Sequence, residues 1–317
     1  MSRDIVKIGG QAIATTSTGA TSWREAVATF VAHQDVKESS RNLYARQMKL
    51  FFEWVEETGR LIKDLTQIDL LAYKDYLLLD KKLSPLSVGS YLTSLRKFYE
   101  WAEAFKIYPN IAKGVKTPKR KQEFIKQHLT EEKSGELLEH FKETSLRDYA
   151  IVSLALRTGL RTVEIVRANI GDIVLRGDKR ILKVWGKGHD SADSFVVLTQ
   201  KAYQPIADYL ATRPRAKANE PLFSSDSHRN SGERLTTRTI SGLIKSGLKA
   251  IGLDSREYTA HSLRHTTAVT ILRNGGSLLD AQRVLRHTNP NTTQIYIKSI
   301  EEEDRLNAPA EAILDVI

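Results

Sequence analysis

The chain contains no cysteine. That excludes disulfide staples, thiolate metal sites and a cysteine nucleophile. Long apolar runs are missing too: no stretch approaches the roughly 20 consecutive apolar residues that a membrane-crossing helix needs. The opening residues, MSRDIVKIGGQAIATTSTGATS, lack the apolar core of a signal peptide. These absences lead to the expectation of a soluble, cytoplasmic protein with no membrane partner. Negative charge is also in short supply. Thirty-eight Asp and Glu stand against 48 Lys and Arg, a formal net charge of +10 at pH 7 with a sequence pI near 9.5. A basic surplus of this size favours a polyanionic partner.

What is present is ordinary for a globular protein with a core: 41% hydrophobic and 27% charged residues. A length of 317 residues suggests two domains. Residues 1–20, rich in Gly, Ala, Ser and Thr, read as a flexible lead. Residues 21–112 carry helical spacing of apolar side chains. Ser40 precedes one such helix, with Leu43, Leu50, Phe51, Trp54 and Val55 on its stripe. Thr66 precedes another. Ser84-Pro85 opens a third, whose stripe is Leu92, Leu95, Phe98, Tyr99, Ala102 and Phe105. The aromatic residues in these stripes are expected in the core.

Residues 113–128 include KGVKTPKRKQEFIK, a basic segment around Pro118. It reads as a linker, either a solvated connector or a strap along a phosphate backbone; the overall charge favours the strap. Thr130 followed by two glutamates signals the start of a second domain, 129–299. Helices are expected from about Leu146 to Gly159 and from near Gln200, Thr237, His261 and Leu278, with a short one bearing Tyr296. Between them, Ile170–Leu175, Ile181–Trp185 and Phe195–Leu198 read as strands of a small antiparallel sheet, the first two joined at Arg176-Gly177-Asp178. The tail, 300–317, starts acidic and ends apolar with Ala312, Ile313, Leu314, Val316 and Ile317, so its end needs burial.

The chemistry is concentrated in a few groups: Arg161 in TGLR, Lys187 in GKG, His261 and Arg264 in HSLRH, His287 in LRH, and Tyr296. Two guanidinium forks suit the non-bridging oxygens of a phosphate, imidazoles and an ammonium move protons, and a phenol is a nucleophile. His265, one helical turn from His261, would make an H-x-x-x-H pair. Without the glutamate of a zinc motif and without cysteine, it is better read as a packed histidine than as a metal ligand.

These motifs, TGLRTVEI at 158–165, WGKG at 185–188, HSLRHT at 261–266 and LRHTNPNTTQIY at 285–296, resemble in order and spacing those of the tyrosine recombinase (phage integrase) family. The resemblance covers the second domain closely, and the helical first domain is similar in size and type to the family's SAM-like core-binding domain. It implies a mainly α fold: a helical core-binding domain followed by a mostly helical catalytic domain with a small antiparallel sheet.

It further implies a site-specific DNA recombinase that cuts and rejoins duplex DNA through a covalent 3′-phosphotyrosyl intermediate. Tyr296 would be the nucleophile, and Arg161 and Arg264 the phosphate clamp. Lys187 would protonate the leaving oxygen, with His189 as a nearby competitor. His261 would act as acid and base, and His287 would support the nucleophile, with Glu164 orienting its neighbours. No cofactor and no metal are implied. The partners would be double-stranded recombination sites, held by four copies on two paired sites, each tail docking on a neighbouring subunit. The free chain would be monomeric or weakly associated, and the need for a partner recombinase or accessory protein is left open. The short lead points to a simple, Xer-like layout.

One position departs from the family pattern, which has glycine before the second histidine where this chain has Arg286. Two other readings stay on the table. A type IB topoisomerase-like nicking–closing enzyme shares much of the residue set, and a catalytically idle DNA-binding regulator need not keep all of it.

Overall fold

The computed structural model describes residues 5–8, 11–14, 20–119, 127–185, 194–309 and 312. The chain divides into two compact units, residues 1–122 and 123–317. No described helix is long and apolar enough to cross a membrane.

The first unit begins with β1 (Ile5–Ile8) paired antiparallel to β2 (Gln11–Ala14), Ile5 opposite Ala14. Residues 5–8 and 11–14 of the expected flexible lead therefore form paired strands. Four helices follow: α1 (Ala20–Ala32), α2 (Glu38–Glu57), α3 (Gln67–Asp75) and α4 (Pro85–Ala104). Helix α2 starts earlier than Ser40 suggests. Lys37 occupies the cap position, and Glu38 in the first turn complements the helix dipole.

Thr66 caps α3 as expected, its backbone N–H donating to Asp69 Oδ2 at 2.8 Å. Ser84 caps α4 by accepting the Ser87 N–H at 3.2 Å, with Pro85 in the first turn. The aromatic stripes interlock: Phe51, Phe52, Trp54, Tyr73, Phe98 and Tyr99 are all buried. Phe105 is the exception, largely exposed and stacked on His33 at 5.3 Å. The beginning of the basic segment packs on this unit, since Val115 is buried and its carbonyl accepts from Arg96 at 2.7 Å. Residues 120–126 of that segment lie outside the described residues.

The second unit is built around α6 (Leu146–Thr158), following α5 (Glu131–Thr144). Thr130 caps α5 through the Lys133 N–H at 3.2 Å. Helix α6 buries Ala150, Ile151, Val152, Leu154 and Ala155 on almost every side, as a central core helix must. It stops at Gly159, whose φ of 60° is the left-handed cap that glycine favours. Helix α7 (Thr162–Arg167) follows at once.

The sheet is β3 (Ile173–Arg176), β4 (Lys179–Val184) and β5 (Ser194–Val197), antiparallel in that order, with Ile173 opposite Leu182 and Leu182 opposite Val196. Ile170–Asp172, expected as the start of the first strand, forms a 3-10 turn instead. Asp172 causes this by accepting the Asn169 N–H at 2.8 Å and the Trp185 indole N–H at 3.0 Å. The remaining helices are α8 (Gln200–Ala211), α9 (Thr237–Ala250), α10 (Ala260–Arg273), α11 (Leu278–Leu285) and α12 (Asn291–Asn307).

Helix α12 is not short. Its acidic second half stays helical because Arg273 of α10 holds Glu303 at 2.9 Å and Asp304 at 3.1 Å. Ile300 is thus mid-helix, and of the apolar tail end all but Ala312 lies outside the described residues beyond Pro309.

Candidate active site

Helix α10 has an unusual composition for an interior element. Every residue from Ser262 to Val269 is buried, and five of them are polar: Ser262, Arg264, His265, Thr266 and Thr267. Buried polar groups require partners, so this helix can exist only inside a specific network.

Arg264 is 2% exposed. Its two terminal nitrogens donate to the carbonyls of Gly159 and Leu285. The α6 terminus and the α11 terminus are therefore both tied to one guanidinium. Its Nε has no hydrogen-bond acceptor among the described residues, a condition met where an external oxyanion completes the shell. Burial, then the neighbouring Arg161 and Arg286, push its pKa down to about 10 against Glu164 and Tyr296, and it stays cationic at neutral pH.

Arg161 stands at the N-terminus of α7, two residues after the Gly159 turn. Glu164 fixes it twice, accepting the Arg161 backbone N–H at 2.7 Å and its guanidinium at 2.8 Å. Glu164 itself is 3% exposed. Burial alone would raise its carboxyl; Arg286 and the bonds from Arg161 outweigh burial and hold it below the usual carboxylate range. Arg161 keeps 37% of its side chain open to solvent, so one face of the guanidinium remains accessible.

His287 and Tyr296 come from the turn after α11 and from α12. The His287 Nδ1 lies 2.9 Å from the Thr293 hydroxyl, which fixes the ring. Burial first, then Arg264, Arg161, His261 and Arg286, push its pKa down to about 4, so the imidazole is neutral at physiological pH. Its ring stacks on Tyr296 with centroids 6.1 Å apart. Tyr296 is 5% exposed. Burial raises its phenol, while Arg264, Arg161 and a hydrogen bond with Arg264 pull in the opposite direction. His265 also packs against it, its ring centroid 4.8 Å from that of Tyr296 and 5.4 Å from that of His128, and so is a packed histidine.

His261 is exposed at the start of α10 and, with Arg161 and Arg264, lines an open groove of about 780 Å³. The structure thus brings Arg161, His261, Arg264, His287 and Tyr296 into one neighbourhood from α6–α7, α10, α11–α12 and α12. Lys187 and His189 lie outside the described residues; β4 leads toward them, and Trp185 at its end is anchored on Asp172.

The groove also contains residues that the motifs do not single out. Arg238, Ser241, Gly242 and Lys245 of α9 line it. Their spacing of i, i+3, i+4 and i+7 beside the buried stripe Ile240, Ile244 and Leu248 was readable as one polar helix face. Thr293 was readable only as part of the final motif, with no sign of its bond to His287. Among the described residues, no group of three or more His, Asp and Glu side chains could hold a metal ion. Cationic side chains facing a buried phenol can orient and stabilise a phosphoryl group while the phenol attacks it.

Both units of the chain match known proteins. Residues 127–303 match the model of the phage integrase family, and residues 23–107 match that of the phage integrase N-terminal SAM-like domain. Tyrosine recombinase XerC of Caldanaerobacter subterraneus is 35% identical over 245 residues, covering 74% of this chain and 65% of that protein. Tyrosine recombinase XerC of Leptospira interrogans is 28% identical over 277 residues, covering 85% and 86%. The solved structure of the Tn1549 transposon integrase in complex with transposon right end DNA shares the fold, with a TM-score of 0.70 at 18% identity over 90% of this chain and 99% of that one.

Proposed function

The chain belongs to the phage integrase family, and from that premise we propose that Tyr296 is the nucleophile of its reaction. Membership makes it a tyrosine recombinase, a site-specific DNA recombination enzyme whose partners are double-stranded recombination sites. The observation that carries the residue assignment is the placement of Tyr296 against Arg264 and His287, within the field of Arg161.

In the proposed step, Arg161 and Arg264 hold the non-bridging oxygens of the scissile phosphate. The Tyr296 oxygen attacks phosphorus, the bond to the 5′ oxygen breaks, and a 3′-phosphotyrosyl link forms. The charge that builds on the phosphoryl oxygens is met by guanidinium groups already fixed in place, Arg264 by two carbonyls and Arg161 by Glu164. His261, at the rim of the groove, is the acid–base group. The neutral His287 hydrogen-bonds the phosphate and supports the phenol. Lys187 protonates the leaving 5′ oxygen. The link conserves the bond energy, so a 5′ hydroxyl from a second duplex reverses the step without a nucleotide cofactor.

Four copies would assemble on two paired sites, with the apolar tail end of each docking on a neighbour, and the basic segment after Lys113 would lie along the phosphate backbone. The net charge of +10 supports phosphate-dominated binding that weakens steeply with salt. The protein would act in the cytoplasm.

The test is a supercoiled plasmid carrying two copies of the chain's own site, identified by sequencing the DNA trapped on the enzyme. Exchange between the sites is expected. Relaxation of any plasmid without exchange would identify a nicking–closing enzyme instead, and tight binding without cleavage would identify a regulator.

A further inference from the structure

Arg286 is where this sequence departs from the glycine of the family pattern, and its backbone shows why glycine would be the easy choice. It caps α11 with φ 55° and ψ 48°, one of three non-glycine residues with positive φ among the described residues. An L side chain in that region costs roughly 1 kcal/mol that glycine does not incur. The side chain must therefore do something that glycine cannot.

Its contacts say what. Its side chain is 11% exposed and is not among the residues lining the open groove. One terminal nitrogen donates to the Val284 carbonyl at 2.7 Å, steadying the side chain against its own turn. The other donates to Glu164 Oε2 at 2.8 Å. That oxygen also takes the Arg161 backbone N–H at 2.7 Å, while Oε1 takes the Arg161 guanidinium at 2.8 Å. One buried carboxylate is thus shared between the start of α7 and the α11–α12 turn. The flanking residues make parallel ties: the Leu285 carbonyl to Arg264, and the His287 ring to Thr293 of α12.

We propose that Arg286 is a positioning residue which, through Glu164, locks Arg161 and the turn carrying His287 into a single register for phosphoryl transfer. This rests on the recombinase reading above. Glu164 is surrounded by Arg161 of the α6–α7 connection, Arg286 of the α11–α12 turn and Arg264 of α10, while His261, His287 and Tyr296 complete the charged and titratable groups of the site. In this role Arg286 would contact neither DNA nor the reacting atoms. It acts by keeping the carboxylate ionised and the two arginine-bearing segments together.

The experiment is single-turnover cleavage of a nicked suicide duplex by the full chain, measured against DNA concentration and pH for wild type, Arg286→Gly, Arg286→Lys, Glu164→Gln and the Arg286→Gly/Glu164→Gln double variant. Glycine suits the turn, so Arg286→Gly should fold, and a melting curve checks that it does. The expected result is a rate at saturating DNA that falls roughly ten-fold, the loss of one charge-assisted hydrogen bond, with little change in half-saturating DNA. The acid limb of the rate profile should move to higher pH, because Glu164 loses a cation that stabilises its charged form. Arg286→Lys should recover part of the rate, and the double variant should be no slower than Glu164→Gln alone.

An unchanged saturated rate in Arg286→Gly would overturn the proposal. So would weaker DNA binding with a flatter salt dependence and no change in saturated rate, which would make Arg286 a phosphate contact. Absence of any adduct in the wild type, or its persistence in Tyr296→Phe, would strike at the recombinase reading instead.

Discussion

Replacing Gly159 by alanine tests whether the Gly159 turn is the joint on which Arg161 and Arg264, the proposed phosphate clamp, hang. Two costs add. Gly159 has φ 60°, a region where an L side chain costs roughly 1 kcal/mol. The new methyl would also sit 2.6 Å from Leu285 Cδ2 and 3.3 Å from Thr267 Cγ2. Neither neighbour can yield easily. Leu285 is fully buried, and the Thr267 hydroxyl is bonded to the Leu156 carbonyl at 2.9 Å. Overpacking of this kind costs about 1–3 kcal/mol, so the total is about 2–4 kcal/mol.

For a unit spanning residues 123–317, that corresponds to a melting temperature lower by roughly 5–15 °C. Gly177→Ala is the control, because its φ is 62° but nothing lies within 4 Å of the added methyl. It carries the backbone cost alone. The assay is calorimetry of both variants, with DNA cleavage measured below their transitions. Gly159→Ala should also cleave more slowly at saturating DNA, since a shifted Gly159 carbonyl no longer holds Arg264. If Gly159→Ala melts no lower than Gly177→Ala and cleaves at the wild-type rate, the packing of Leu285 and Thr267 on this turn does not set the site.

Three further outcomes are expected. His287 is held near 4 in the folded chain against 6.5 unperturbed; its stabilising effect is full above about pH 6.5 and lost as pH falls toward 4, up to about 3 kcal/mol. Urea titrations across that range should show His287→Asn losing less stability than wild type, and parallel losses would refute the assignment. Cleavage should persist in excess EDTA, because the cations proposed to meet the phosphate are side chains; activity abolished by chelation and restored by magnesium would contradict this. Deleting Ala308–Ile317 should impair assembly on paired sites, read by native gels and recombination, more than binding of one copy to one site. Equal recombination by the truncated chain would refute tail docking.

Much of this fold was legible because local signals and tertiary packing agree. Ser84-Pro85 and Thr130 each start a helix, and Gly159 ends one, by a mechanism carried in the residue itself, and the aromatic stripes of α2 and α4 bury the side chains that their spacing predicts, Phe105 apart. Local signals fail where a distant partner decides. The acidic stretch Glu301–Asp304 looks like the end of a helix, yet α12 continues because Arg273, some thirty residues earlier, neutralises it.

Within the site, the order of Arg161, His261, Arg264, His287 and Tyr296 was readable, since those residue types have few other uses together. The tether from Arg286 to Glu164 was not, because it joins side chains 122 positions apart and depends on a left-handed turn. The groove face of α9 lay in plain spacing, but which face meets the site is settled only by packing on Phe141 and its neighbours, against which Gly247 allows close approach.

The central claim is that Tyr296 becomes covalently joined to DNA. A suicide duplex trapped on the wild-type enzyme, digested and mapped by mass spectrometry, should place the nucleotide adduct on the peptide containing Tyr296, and Tyr296→Phe should yield no adduct while still binding the duplex. An adduct on Tyr203, Tyr209 or Tyr258, or an undiminished adduct from Tyr296→Phe, would contradict the account.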